Sequence, residues 1–289
     1  MLTGKTALVT GSTGGIGRPI AAGLADLGAN VIVVGRDRIR GESLVAEIHQ
    51  KTGREAALFL PADLSSQDEV RRLANEVMAR YPKLDLLVNN VGGLYAKRWE
   101  TVDGIEGTLA VNVLAPFLLT NLLVPSLTAA APARIVNLTS SSHRFARLRL
   151  DDLQATTWYR AMDAYTQAKL AGLLLTYAWA RHLAGTGVAV NAADPGGADT
   201  DMVRSMTWDM MGWSWRIMWT ALRLTGQFVA PEKAAQSAIF VATSPTIEGV
   251  TGAYFGPRRR PIRSSPVSYD EELGSHLWNA CNSLVGLRG

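Results

Sequence analysis

Short runs of β-branched and apolar residues alternate along this chain with longer stretches whose apolar positions recur every three to four residues. TALVTG at 6–11 reads as a strand, and IGRPIAAGLADLG at 16–28 as a helix that stops at Gly28. NVIVVGR at 30–36 is a second strand, and ESLVAEIHQKTG at 42–53 a second helix ending at Gly53. A third strand lies within 55–64, a third helix over 69–82 and a fourth strand within 84–92. A long apolar helical stretch over about 105–130 leads to a fifth strand at 133–142. A helix over about 163–185 leads to a sixth strand at 187–197. The strands are apolar throughout, so both faces of their sheet must be covered. This alternation predicts an α/β fold with a doubly wound parallel sheet, helices on both faces and right-handed crossovers. No linker or repeat interrupts 1–289, which reads as one domain. Two segments break the rhythm: a Trp- and Met-rich stretch over 198–226, and a C-terminal extension from about 256 that opens with the Pro- and Arg-rich GPRRRPIRSSPVS.

Composition narrows the class. With 47% hydrophobic and 19% charged residues, the chain is globular. A formal charge of +4 implies no nucleic-acid partner. The one cysteine, Cys281, excludes an internal disulfide and suits a reducing compartment. His49, His143, His182 and His276 have no metal-ligand spacing, so no metal is expected. No apolar run reaches the ~18 residues of a membrane span, and no charged-then-apolar leader precedes KTALVTG. These readings together predict a cytoplasmic location.

The first strand meets the first helix in VTGSTGGIGRP, where Gly11, Gly15 and Gly17 follow G-x-x-x-G-x-G. Glycines there permit a tight turn and close backbone approach to a pyrophosphate at a helix N-terminus. The cradle would comprise Gly11, Ser12, Thr13, Gly15, Ile16 and Gly17, and the fold would be Rossmann-type. Where NAD-preferring folds often carry an acid, this chain has Arg36, with Arg18 just past the glycines. Two cations suit a ribose 2′-phosphate, so NADP(H) is expected over NAD(H). Asp37 argues the other way, and a merely solvated Arg36 is the competing reading. Asp63, beside Leu64, either accepts from an adenine amino group or caps the next helix. In VNNVGG, Asn89 and Asn90 can bond neighbouring backbone, while Gly92 and Gly93 would keep the floor open for a cofactor.

MDAYTQAKLAG at 162–172 places Tyr165 and Lys169 on one helical face. An ammonium beside a phenol favours the phenolate and makes it a usable acid–base group. Taken with the glycine turn, NNVG at 89–92, Asn112, the strand RIVNLTSSS and the Pro195–Gly196 step, this pair resembles the short-chain dehydrogenase/reductase family over nearly the whole chain. The wide gap between Ser140 and Tyr165 and the endings SPTIEGVTGAYF and SYDEELGSHLW resemble its retinol dehydrogenase-like branch.

The resemblance implies an oxidoreductase. Tyr165 would be the general acid/base and Lys169 would tune it and hold the nicotinamide ribose. Ser140 would bond the reacting oxygen, with Ser141 a competitor and Thr139 a weaker one. Asn112 would hold a relay water. Pro195 and Gly196 would pass beside the nicotinamide, and Thr200 would bond its carboxamide. Val91 and ADPGG depart from the family's usual NNAG and the branch's HPG without removing a catalytic atom.

The segment over 198–226 reads as a flap over an apolar aldehyde, ketone or alcohol, retinoid-, steroid- or polyketide-like. Two further readings are an interfacial helix in peripheral membrane contact and a helix packed on the body or another subunit. Met162, Leu170, Leu174 and Trp179 are either homodimer contacts or core, and a monomer is the other expectation. A non-catalytic NADP(H)-binding sensor on the same fold is the rival function.

Overall fold

The structure, a computed structural model, describes residues 1–224 and 228–287. Its sheet comprises β1 (Thr6–Thr10), β2 (Asn30–Gly35), β3 (Ala57–Pro61), β4 (Leu86–Asn89), β5 (Ala133–Leu138), β6 (Val188–Ala193) and β7 (Tyr254–Phe255). All pairings are parallel, in the order β3-β2-β1-β4-β5-β6-β7. The helices are α1 (Gly17–Asp26), α2 (Arg38–Thr52), α3 (Gln67–Arg80), α4 (Gly107–Leu109), α5 (Ala115–Ala129), α6 (Ala161–His182), α7 (Asp201–Arg204), α8 (Trp213–Leu224), α9 (Pro231–Thr243) and α10 (Glu271–Leu284). One apolar layer joins α1, α2 and α9 to the sheet, and the other joins α3, α5, α6 and α10. This is the expected single-domain, doubly wound α/β architecture.

Differences from the sequence reading have local causes. Helix α2 begins four residues early because the Asp37 carboxylate caps it, accepting from Arg40 N at 3.0 Å. Strand β4 stops at Asn89 because the Asn90 amide donates to Thr10 O at 2.8 Å and leaves the ladder. Strand β5 stops at Leu138, and Ser140 caps a short 3-10 turn over Ser141–Phe145. The two-residue edge strand β7 carries too little pattern to be read from sequence.

The expected absence of a span-length apolar run does not hold. Gly107–Ala129 is 23 residues long and apolar enough to cross a membrane by length and composition, but 78% of its apolar window is buried inside the fold. Its side chains fill the layer between α3, α6 and the sheet, which is why it carries no charge. Met162, Leu170, Leu174 and Trp179 are likewise buried within the single chain. Helix α10 covers that face of α6. Trp278 packs at 4.6 Å from the Trp179 ring and edge-on at 4.9 Å to Phe117.

Candidate active site

A cavity of about 420 Å³ opens at the C-terminal ends of β1 and β4, where the strand order reverses. This is where doubly wound sheets bind ligands. Gly11, Thr13, Gly14, Gly15 and Ile16 form its near wall. Gly11 and Gly15 have φ of +62° and +51°, the left-handed region that favours glycine. Gly17 does not line the cavity. A Cβ there would lie 2.3 Å from Gly11 O and 2.4 Å from Asn90 Nδ2, so it is the contact that lets the turn close on β4. Ser12 also departs from expectation. It is fully buried, and its hydroxyl donates to Val9 O at 2.8 Å and accepts from Val34 N at 2.9 Å. Its side chain pins the loop to β2 and does not face the cavity.

Gly35, Arg36, Ala62, Asp63, Leu64 and Ser65 line the far end. Asp37 is occupied as the α2 cap and pairs with Arg40 at 3.3 Å. Arg18 does not converge with Arg36. It turns outward to Glu47 on α2. Arg40 does not line the cavity; it pairs with Asp37, lies 3.9 Å from Asp201, and its Nη1 is 3.7 Å from the Cβ position of Gly14 on the near wall. Asp63 is not the α3 cap. Ser66 caps α3, while Asp63 accepts from Ser65 N at 3.0 Å and lies 4.0 Å from Arg36.

The floor brings the other predicted groups together. Asn90, Gly92, Tyr165, Lys169, Pro195 and Thr200 line it, with Tyr95, Val111 and Met202, which the sequence reading missed. Asn112 sits in a π turn over Ala110–Leu114, between α4 and α5. That turn aims its amide at Gly93 O and Thr108 O, each at 2.9 Å. A Cβ on Gly92 would lie 2.9 Å from Asn112 Oδ1 and 3.4 Å from Lys169 Nζ, so these two groups bracket Gly92. Among the competing hydroxyls, Ser140 is the one that acts on the Tyr165 phenol, lowering its pKa against the effect of burial. Ser141 is exposed, and the Thr139 hydroxyl points to Lys169 O at 3.5 Å. Thr200 caps α7, accepting from Val203 N at 3.4 Å. Gly196 turns away from the floor. At φ +74°, its Cβ position faces Pro257 at 3.0 Å.

Lys169 is buried, and burial pushes its ammonium down to about 8, against the pull of the Asp194 carboxylate. Lys169 Nζ lies 5.4 Å from the Tyr165 ring centre. Tyr165 moves opposite to the sequence expectation. Burial pushes its phenol well up and the Asp194 charge adds to that, while Ser140 opposes it. Desolvation outweighs the lysine here. Tyr165 is therefore held protonated at neutral pH.

Asp194 was the harmless-looking acid of ADPGG. It is almost fully buried, accepts from Tyr254 OH at 2.6 Å and from Gly196 N at 2.8 Å, and fixes the turn through Pro195 that follows β6. His143 is fully buried beside it, edge-on to Tyr254 at 5.3 Å. Its Nε2 accepts from Ser265 N at 3.1 Å, which leaves Nδ1–H to donate to Ser140 O at 2.6 Å. The imidazole thus ties the backbone of Ser140 to the C-terminal extension.

Only neutral His143 can accept from Ser265 N, and burial lowers its pKa. The stability this adds is full above the ordinary histidine value of ~6.5 and is lost as pH falls below it toward the lowered folded value. His143→Asn keeps a donor near Nδ1 and does not titrate. Between pH 7 and about 5 the parent melting temperature is expected to fall more steeply than that of His143→Asn. Parallel melting curves across that range would refute this assignment.

The model of the short chain dehydrogenase family matches residues 5–210. Retinol dehydrogenase 14 of Mus musculus is 34% identical over 305 residues, covering 99% of this chain and 87% of that protein. Polyprenol dehydrogenase of Mus musculus is 38% identical over 296 residues, covering 99% and 85%. Among solved structures, the Pseudomonas aeruginosa RhlG/NADP active-site complex superimposes with a TM-score of 0.69 at 29% identity, covering 88% of this chain and 95% of that one. The chain therefore belongs to the short-chain dehydrogenase family, in its retinol dehydrogenase-like part, and is an oxidoreductase of alcohol or carbonyl groups that uses a nicotinamide cofactor.

Proposed function

We propose that the enzyme prefers NADP(H) to NAD(H) and interconverts a large apolar aldehyde or ketone with its alcohol, with Tyr165 as general acid/base. One observation carries the reading. Tyr165 lies both on the floor of the nucleotide cavity and in an apolar cluster built by Met162, Met210, Met211 and Trp219. A phenol between the cavity and this packed apolar cluster is placed to meet the hydride donor on one side and an apolar substrate that displaces or lies along the cluster on the other. Two relatives are named for retinol and polyprenol, both long apolar alcohols, and this agrees with the chemistry of the cluster.

The residues present fit the cofactor. The glycine turn leaves room for backbone amides to approach a pyrophosphate, and Arg36 lines the far end of a cavity of about 420 Å³. The bound nicotinamide ring supplies the hydride. Arg36 would hold a 2′-phosphate. Lys169 donates to the nicotinamide ribose, and Asn112, with its amide fixed, turns its Oδ1 to the side of Gly92 where Lys169 Nζ lies. Tyr165 delivers its phenolic proton to the carbonyl oxygen in reduction, while Ser140 orients that oxygen. The Met- and Trp-rich flap excludes water from the reacting atoms. A monomer is the working unit in this reading, and the α10 cover over Trp179 supports it. The reading also places the protein in the cytoplasm, a reducing setting that suits the buried, free Cys281.

The test is steady-state consumption of NADPH and NADH against a panel of apolar aldehydes and ketones. The parent is expected to favour NADPH. Arg36→Ala is expected to raise KM for NADPH about tenfold or more and leave KM for NADH unchanged, the loss of a charge-assisted phosphate contact. Equal KM values for the two cofactors in the parent would refute the NADP(H) preference.

A further inference from the structure

Helix α8 carries apolar side chains on both of its sides. Trp219 is buried and Trp215 half-buried in the cluster that includes Tyr165. Trp213 and Ile217, four residues apart, point outward and are 77% and 64% exposed. A surface helix ordinarily presents polar residues there. The exposed apolar surface continues beyond the helix. Exposed Phe145 packs edge-on to Trp215 at 5.2 Å. A Cβ on Gly212 would lie 2.8 Å from Arg160 Nη1, and Arg160 stacks 4.6 Å over the ring of exposed Trp158. Arg216 ties exposed Trp208 to the same helix by donating to its carbonyl at 3.0 Å. Aromatic surface of this extent on one side of a protein marks an interaction site.

Charge beside this face selects its partner. Residues 139–150 and 256–269 contain seven arginines and no Asp or Glu, in a chain whose net charge is only +4. The two segments are held together, since Arg144 donates to Arg263 O and Ser265 N donates to His143 Nε2. Arg144, Arg147, Arg258, Arg259, Arg260 and Arg263 are all exposed. Phe145 follows Arg144 directly, so the cationic segments border the aromatic face. Tryptophan and isoleucine flanked by arginine is the composition of a surface that enters a headgroup layer and attracts anionic lipid.

We propose that the outer face of α8, with Phe145 and the arginines of 144–147 and 258–263, docks on an anionic phospholipid bilayer. The inner side of the same helix walls the apolar cluster around Tyr165. Docking therefore sets this apolar wall beside Tyr165 against the lipid phase, the source of an apolar substrate.

The test is co-sedimentation of the full chain with vesicles of phosphatidylcholine, alone or mixed with phosphatidylglycerol. The parent is expected to partition about tenfold more strongly onto the mixed vesicles, with the excess lost in high salt. Trp213→Ser combined with Ile217→Ser is expected to reduce partition onto both kinds of vesicle. Arg258→Gln, Arg259→Gln and Arg260→Gln together are expected to remove the preference for the anionic one. NADPH binding unchanged in both variants shows that they are folded. Absence of partition onto either vesicle, or partition unchanged by both variants, overturns the proposal. So does a dimer in solution that the Trp213/Ile217 variant dissociates, which would make a second copy the occupant. The vesicle result does not depend on turnover, so it fails or stands separately from the enzymatic reading.

Discussion

Tyr165→Phe is expected to fold, to bind NADPH with parental affinity and to lose about a thousandfold in turnover, within the range that positioned acid–base groups contribute. The ring keeps its place in the apolar cluster, because only the hydroxyl is removed. Ser140 keeps a partner too, since its hydroxyl still accepts from Ser142 N at 3.2 Å. Folding and cofactor binding therefore survive, and proton delivery does not. The measurements are NADPH fluorescence titration and single-turnover reduction with an aldehyde that the parent accepts. Turnover within tenfold of the parent would remove Tyr165 from the mechanism. The direction of the phenol shift adds a pH signature. Burial and Asp194 hold Tyr165 protonated, so carbonyl reduction should stay flat across neutral pH. Alcohol oxidation, which needs the phenolate, should rise with pH over the same range.

The second large effect is expected at Gly17, which touches no part of the cavity. Gly17→Ala places a methyl 2.3 Å from a backbone oxygen and 2.4 Å from the Asn90 amide, and backbone has little freedom to retreat. The turn must lift off β4. Overpacking of this kind costs about 1–3 kcal/mol in stability. The geometry of the cradle is lost with it, and nucleotide affinity is expected to fall about a hundredfold, or ~2.7 kcal/mol. Gly14→Ala is the control. Its Cβ would meet only Arg40 Nη1 at 3.7 Å, an ordinary contact. Calorimetric titration with NADPH and thermal melting of both variants checks the prediction. A Gly17→Ala variant that matches Gly14→Ala in both would show that the turn yields at no cost.

The order of strands and helices was legible because each strand is an unbroken apolar run and each helix a periodic one, patterns imposed by a sheet covered on both faces. Tyr165 and Lys169 could be named from their spacing on one helix face, and Asn112 and Ser140 only through the family resemblance. What was hidden depends on partners distant in sequence. The constraint on Asp194 comes from Tyr254, 60 residues on, and that on His143 from Ser265, 122 residues on. Nothing within ADPGG or SSSHR announces either. Arg18 was expected to converge with Arg36 on a 2′-phosphate, but Glu47 on α2 draws it away. Ser12 sits inside the glycine motif, yet its hydroxyl is claimed by β2. The charge-free run of Gly107–Ala129 shows the converse, since burial in a soluble core and burial in lipid leave similar patterns in sequence.

The cover over Trp179 is supplied by the chain's own last helix. A surface covered by a neighbouring subunit is exposed again on dilution, by mass action. A surface covered by a tethered segment faces a local concentration fixed by the length of the tether, however dilute the protein becomes. The ring stack of Phe117, Trp179 and Trp278 therefore keeps its shelter at any protein concentration. The helix that carries Tyr165 and Lys169 is braced on its far side whether the molecules are scarce or crowded.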